Sequence, residues 1–548
     1  MMPIRRKVLP SIGRSTIVCS LAQSHRNPTS EGPRSSTGQI PFVNYIQPRI
    51  AIKMTKPKSP SHETPIGINR MLERLPISWI TLILWMLITC NAFTLAQSDP
   101  PPGLSIEGYP DRQSVAPGQE LALHTSTTAS EYSIEIARLG AERKVVFQKS
   151  KIPGGGSHPI PENASSHGCN WPISFRMPVP ADWPTGYYQV LFRVADNGGK
   201  YVVRNRRTAE AETFFVVRSA EPGKDKKILF QLATNTYNAY TNWGGGSLYA
   251  YHGRANLQGN RVSFQRPQFS QYSNWEYPMV QWAEKNGFQL DFATNLDLEQ
   301  RPDLLRNYKL ILSVGHDEYW SAGMRDQLEK YIGDGGNVAF FSGNTCCWQV
   351  RPEDNGQFLT CWKQAFNSDP VFKTDDHRTL STLWSHHLVK RPENQMTGVG
   401  FLFGGYHLSH GEFMDGKGAF TVHRPDHWIF EGTNLKQDGE FGAKHTIVGY
   451  ECDGCELEWK GGLPFPTHRD GTPESFEVLA TCPTRWAADD CEWYDRWQRG
   501  RTGAACLGLY TRGGTVFTCG STDWAHGLRG GDAVTERITK NIFEKLSR

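Results

Sequence analysis

Four short strings in the chain gather side chains that can do chemistry. Asn235-Thr-Tyr-Asn-Ala-Tyr240-Thr-Asn-Trp243 runs through three glycines to Ser247-Leu-Tyr249, and Gly315-His-Asp-Glu-Tyr-Trp320 sets an imidazole beside two acids. Ser342-Gly-Asn-Thr-Cys-Cys-Trp348 offers Asn344 and two thiols, and Gly449-Tyr-Glu451 adds a distant carboxylate. Three chemistries could use these groups. A thiol from Cys346 or Cys347 could attack an amide on a sharp turn after a strand. Glu318 and Glu451 could serve as the acid and base of a metal-free glycoside hydrolase. Alternatively, phenolates and a carboxylate could hold a hard cation. A tyrosine becomes a ligand only when the metal pulls its pKa down from about 10, which favours a ferric ion that activates water. Each residue also has a structural reading. Tyr240 and Tyr249 can be core tyrosines with bonded hydroxyls, Asp317 or Glu318 can cap a helix starting near residue 321, and Asn344 can take a left-handed turn.

What must position these groups is a set of buried strands. The segments 228–232, 290–293, 309–314 and 337–341 are short apolar runs, and 278–286 and 321–332 carry helical periodicity between them. That alternation predicts a doubly wound, mostly parallel α/β sheet of the glutamine amidotransferase-like kind, whose ligands lie at the carboxyl ends of its strands. The four strings follow such strands. A fifth strand is expected over 446–450, directly before Glu451. Ahead of them, residues 103–218 show period-two runs at 120–124, 132–138, 144–148, 187–194 and 213–217, cut by Pro and Gly. This pattern predicts an all-β, immunoglobulin-like sandwich, a packing module that could also contact cell-surface glycan. A charged linker at 220–227 separates it from the α/β domain, 224–548.

The 548 residues carry 59 Lys and Arg against 55 Asp and Glu, a net +4. Residues 1–70 hold 11 of the basic residues and only Glu31 and Glu63, a local +9, which leaves −5 on the rest. A mildly acidic body gives no reason to expect a nucleic-acid partner. The 1–70 leader is Pro/Ser/Arg-rich without periodicity and reads as disordered or as the product of a mis-assigned start. Within 71–96, the apolar run 77–95 ends in Thr94-Leu-Ala96, the pattern of a secretory signal peptide. The alternative is a single N-terminal membrane anchor. Either implies a secreted, periplasmic or surface-exposed protein, in which the ten cysteines beyond Cys90 should form disulfides. The lone CxxC, Cys452-Asp-Gly-Cys455, could be a zinc half-site, a disulfide or a redox pair.

The strings Thr236-Tyr-Asn-Ala-Tyr240, Ser247-Leu-Tyr249, Gly315-His-Asp-Glu-Tyr-Trp320, Phe341-Ser-Gly-Asn344, Gly449-Tyr-Glu451 and Gly520-Ser-Thr-Asp-Trp524 together resemble the C-terminal domain of the N,N-dimethylformamidase large subunit, over roughly 224–548. The resemblance implies a mononuclear ferric iron on Tyr240, Tyr249 and Glu318. It also implies His316 beside the ligands, Asn344 on substrate or water, Glu451 as general base, and a small-molecule amide as substrate. The expectation is an exported, iron-dependent amide hydrolase. The alternatives are a secreted binding protein with an inactive α/β domain, or the carboxylate-pair glycoside hydrolase.

Overall fold

The computed structural model describes residues 103–194, 210–254, 257–407, 416–486 and 502–548. The leader and the signal or anchor segment lie outside the described residues. Among the described residues, no helix is long and apolar enough to cross a membrane.

The period-two runs near the start become strands Glu120–Thr127, Glu131–Leu139, Arg143–Pro153, Gly186–Arg193 and Glu210–Val217. They belong to a five-stranded and a three-stranded sheet. Leu121 and Leu123 of the smaller sheet share one core with Ile134, Ile136, Val190 and Phe215 of the larger, as strict alternation requires.

The rest is organised on a nine-stranded sheet. In chain order its strands are β1 (Ile228–Leu232), β2 (Leu290–Thr294), β3 (Leu310–His316), β4 (Asn337–Gly343), β5 (Phe420–Val422), β6 (Glu440–Phe441), β7 (Glu477–Arg485), β8 (Thr502–Arg512) and β9 (Gly514–Thr518). They lie side by side as β2-β1-β3-β4-β9-β8-β7-β5-β6. Pairings from β2 to β9 are parallel, and all those beyond β9 are antiparallel. Four helices frame the sheet: α1 (Thr234–Tyr240), α2 (Glu276–Lys285), α3 (Ala322–Gly333) and α4 (Ala533–Leu546). Met279 and Val280 of α2 and Ile538 and Phe543 of α4 join the core that contains Phe230, Leu312 and Phe341. Met324, Leu328 and Ile332 of α3 join the other, with Leu229, Ile311 and Phe340. Alternate residues of β1, β3 and β4 thus feed opposite faces, so both faces are buried and the strands read as unbroken apolar runs.

The doubly wound, mostly parallel architecture is therefore corrected. The protein is mostly β, built from several mixed and antiparallel sheets. The strand–helix alternation that suggested otherwise ends with β4. Between β4 and β9 the chain makes hairpins, short ladders and single helical turns instead of βα units, and β9 turns tightly back on β8. The strand expected over 446–450 is also absent. Residues Ala443–His445 form a single 3-10 turn, and Thr446 follows in the left-handed region at φ 51°.

The sandwich is fastened to the sheet unit. Arg138 is 2.5 Å from Glu284 of α2, the Tyr187 and Tyr272 rings stack at 3.9 Å, and Phe292 N donates to Thr185 Oγ1 at 3.0 Å. The nine described cysteines all carry free thiols, contrary to the disulfides expected from the leader.

Candidate functional site

Tyr240 is the last residue of α1, the short helix that leaves the carboxyl end of β1. At Thr241 the backbone turns extended, and Gly244 and Gly245, with φ of +80° and +96°, reverse the chain so that Tyr249 returns over Tyr240. The two rings lie 4.3 Å apart between centroids. The reversal is clasped by Arg266, which is fully buried. Its guanidinium donates to the carbonyls of Ser263, Trp243, Gly246 and Asn238 and to Asn238 Oδ1. Carbonyl dipoles thus satisfy the fork of a buried cation.

Glu318 lies just beyond β3. Tyr249 Oη is 2.9 and 3.0 Å from its two carboxylate oxygens, and Tyr319 Oη donates to Tyr249 Oη at 2.6 Å. Trp348 Nε1 donates to Glu318 Oε1 at 2.8 Å, and the Glu318 amide donates to Thr236 Oγ1. Burial raises the Glu318 pKa, but His316, then Lys363 and Tyr249, more than offset it, so the carboxylate sits below its ordinary value. Burial, followed by the charge of Glu318, pushes both Tyr240 and Tyr249 well above the usual tyrosine value.

His316, the last residue of β3, puts Nε2 at 2.7 Å from Glu451 and 3.3 Å from Glu318. Burial alone would lower its pKa, but the two carboxylates raise it to about 10. Asn344 follows β4 in the left-handed region, φ 50°, and its Nδ2 donates to Glu451 Oε2 at 3.1 Å. Its Oδ1 is buried and without a partner among the described residues. Asp453 fixes this turn by accepting from the amides of Asn344 and Thr345, both at 3.0 Å. Gly343 leaves the room for it, since a Cβ there would stand 2.4 Å from the Glu451 carbonyl and 2.5 Å from Thr522 N.

All six candidates from the sequence, Tyr240, Tyr249, His316, Glu318, Asn344 and Glu451, thus meet in one cluster near the ends of β1, β3 and β4. Two of the structural readings hold beside the site: Asn344 takes the left-handed turn, and Tyr249 is a buried tyrosine with a bonded hydroxyl; the helix-cap reading does not. Ser321, not Asp317 or Glu318, caps α3, and Asp317 is buried, accepting from Gln231 and Ser313. His423 and His427, members of a later His-rich stretch, stay apart from the site, bonded to Thr481 and to the Ile429 amide. The cysteine-nucleophile reading finds no support. Burial raises the Cys346 thiol pKa, disfavouring the thiolate, and its strand-end turn is shaped around Asn344.

Several contributors were missed. Lys363 is wholly buried, with Nζ 3.4 Å from the centre of the Tyr249 ring and 4.9 Å from that of Trp348. No periodicity or motif marks it, since it stands alone in a 3-10 turn. Asp453 was hidden inside a string read for its cysteines. Tyr450 and Trp275 wall the far side of His316, each with ring centres 5.6 Å from the imidazole.

A mixed sheet thus carries two closely apposed phenols, a carboxylate and a buried imidazole–glutamate–asparagine group near its strand ends. The chain belongs to the family described as N,N-dimethylformamidase beta subunit-like, C-terminal, which it matches over residues 133–539. That span begins inside the sandwich. Among curated proteins it is similar to the N,N-dimethylformamidase beta subunits of Alcaligenes sp, at 27% identity, and of Paracoccus aminophilus, at 28%. Each alignment covers 219 residues, 34% of this chain and 29% of the relative, so the matched part spans less than a third of those proteins.

Proposed function

We propose that this protein hydrolyses a carbon–nitrogen amide bond of a small molecule at the Tyr240–Tyr249–Glu318 site, with iron as its metal. The observation that carries the reading is the convergence of two phenols and a buried carboxylate beside the His316–Glu451–Asn344 group. The donor set suits a hard trivalent cation. Tyr249 and Glu318 are buried and Tyr240 half-buried, and the Tyr249 hydroxyl points its proton at both Glu318 oxygens, a position a cation could take over. Tyr240, Tyr249 and Glu318 would hold the ion, and when bound it would supply Lewis acidity toward a carbonyl or a water.

The remaining steps fall to the chain's own groups. Glu451 Oε2 takes the proton of the attacking water. His316, held protonated, gives its Nε2 proton to the leaving nitrogen and is reprotonated by Glu451, 2.7 Å away. Asn344 donates through Nδ2 to Glu451, which fixes the carboxylate, while its Oδ1, buried and without a donor among the described residues, is suited to accept an amide N–H of the substrate. Trp275 and Tyr450 keep bulk water from the imidazole. The carboxylate-pair alternative is disfavoured because one imidazole nitrogen stands between Glu318 and Glu451, where a glycosidic oxygen would have to lie.

Export, read from 71–96, is part of the proposal, as is assembly with further chains, since the relatives are named as subunits. Metal analysis and amide hydrolysis by the purified protein test the reading. About one iron per chain, lost together with activity and charge-transfer colour in the Tyr240→Phe/Glu318→Gln double variant, is the expected result. A double variant that keeps its iron would overturn the ligand assignment.

A further inference from the structure

The string Gly520-Ser-Thr-Asp-Trp524 follows β9 and supplies none of the site's six groups, yet it grips the segment that carries Glu451. Ser521 Oγ donates to the Ile447 carbonyl at 2.7 Å, and the Asp453 amide donates to the Gly520 carbonyl at 3.0 Å. Between them the Thr522 amide donates to the Glu451 carbonyl at 3.1 Å, and the Glu451 amide donates back to Thr522 Oγ1 at 3.3 Å. Residues 446–451 belong to no strand, so these bonds do for Glu451 what a ladder does for His316.

Asp523 carries the grip round to the far side of the imidazole. It stands directly before the helix Trp524–Arg529, where an aspartate ordinarily accepts from the first free amides of the helix. Its side chain makes no such bond. The carboxylate turns the other way: Oδ1 accepts from Trp275 Nε1 at 2.8 Å and from Thr522 Oγ1 at 3.1 Å, and Oδ2 accepts from the Tyr450 amide at 2.9 Å. Gly449 makes this approach possible, since a Cβ there would stand 1.9 Å from Oδ2. Trp275 and Tyr450 are the two residues whose rings flank His316 at 5.6 Å. One buried carboxylate therefore ties both flanking residues to each other and, through Thr522, to the backbone of Glu451, the 2.7 Å partner of His316.

We propose that Asp523 is the positioning residue of the His316–Glu451 pair, acting through Trp275, Tyr450 and Thr522 without touching substrate. The proposal rests on the reading of that pair as the acid and base of amide hydrolysis. Asparagine at 523 keeps the shape of the side chain but offers one acceptor oxygen. It can accept from the indole or from the Tyr450 amide, and it turns an N–H toward the other donor.

The test compares wild type with Asp523→Asn, in the full chain, by two readouts. The first is NMR of ¹³C-labelled histidine rings after chelator treatment, with the His316 signal assigned by its loss in His316→Gln. The second is steady-state hydrolysis of N,N-dimethylformamide by metal-loaded protein. Expected are a displaced His316 signal, a kcat lower by roughly 10- to 100-fold, and iron content and KM within about twofold of wild type. Asp523→Glu guards against a folding defect of the amide, because it keeps two acceptor oxygens; one methylene longer, it cannot meet both donors beside Gly449 and should show the same displacement. Adding Trp275→Phe to Asp523→Asn should lower kcat little further, since the indole's tie is already cut. A His316 signal that stays in place whatever the loss in Tm, a wild-type kcat, or fully additive losses with Trp275→Phe would each overturn the proposal. A displaced His316 signal in a protein whose wild type leaves the amide intact would count against the hydrolase reading alone and still assign to Asp523 the placing of His316.

Discussion

Replacing Tyr249 by Phe removes one oxygen and leaves the ring in place. In the metal-free protein that oxygen donates to the Glu318 carboxylate at 2.9 and 3.0 Å and accepts from Tyr319 at 2.6 Å, all in a fully buried setting. A hydrogen bond to a charged group contributes about 1.5–3 kcal/mol, and a stranded buried hydroxyl costs about 1–3 kcal/mol. Because the carboxylate keeps Trp348 and the Tyr319 hydroxyl can partly re-aim, the net destabilisation should be about 3 kcal/mol. Unfolding entropy near 2.1 cal/mol/K per residue over roughly 450 residues converts this to a Tm lower by about 3 °C. Urea denaturation of the chelator-treated protein reads the first number, and calorimetry reads the second. On the proposed ligand set the same change would remove one of three protein ligands, so iron affinity should fall roughly 100-fold or more and the phenolate charge-transfer band should weaken or shift. A variant that unfolds within about 1 kcal/mol of wild type and still carries wild-type iron with an unchanged spectrum would refute both the hydrogen-bond reasoning and the placement of Tyr249 in the site.

Three further outcomes follow from the geometry. Glu451→Gln keeps an oxygen for Asn344 Nδ2 but not the base, so kcat should fall roughly 10²–10⁴-fold at unchanged iron content; steady-state kinetics with metal analysis checks it, and iron loss would mean Glu451 is structural. Glu276, buried and bonded to the Tyr237 hydroxyl, has its pKa raised by burial to about 7. The folded state therefore holds a proton that the unfolded chain releases near 4.5, so wild type loses stability as pH rises from about 4.5 to about 7. Glu276→Gln should gain up to roughly 3 kcal/mol relative to wild type between pH 4 and pH 8, and parallel Tm–pH curves for the two proteins would dismiss the point. Arg138→Ala strands Glu284, which otherwise bonds the guanidinium and the Ala141 amide, and should cost about 3 kcal/mol in urea titrations; a loss below about 0.5 kcal/mol would make that contact superficial.

Local patterns were legible where burial is two-sided. The apolar runs of β1 to β4, and the apolar spacing of α2 and α3, stand in the sequence within one or two residues of their observed ends. The polar residues placed directly after β1, β3 and β4 were legible for the same reason, since nothing in packing calls for His316 or Asn344 there. The architecture beyond β4 was not. Strands such as Phe420–Val422 and Glu440–Phe441 are too short to show a period, and their direction is set by pairing partners far along the chain. Glu451 was read as following a strand, yet it is held by Thr522, 71 positions away, whose hydroxyl accepts from its amide. Lys363 and Arg266 were invisible because a buried cation is defined by what surrounds it, and sequence spacing carries no trace of that.

The core that contains Phe230 and Phe341 also takes in Leu139, Tyr187, Phe214 and Val216 from the sandwich. One continuous apolar interior therefore runs through the boundary at 220–227. A hinge at such a boundary would have to peel that interior open, at a cost far above thermal energy. A substrate of the proposed site would have to reach the tyrosines without the two halves parting. For the same reason, residues 224–548 expressed alone would present a wet apolar wall and should aggregate.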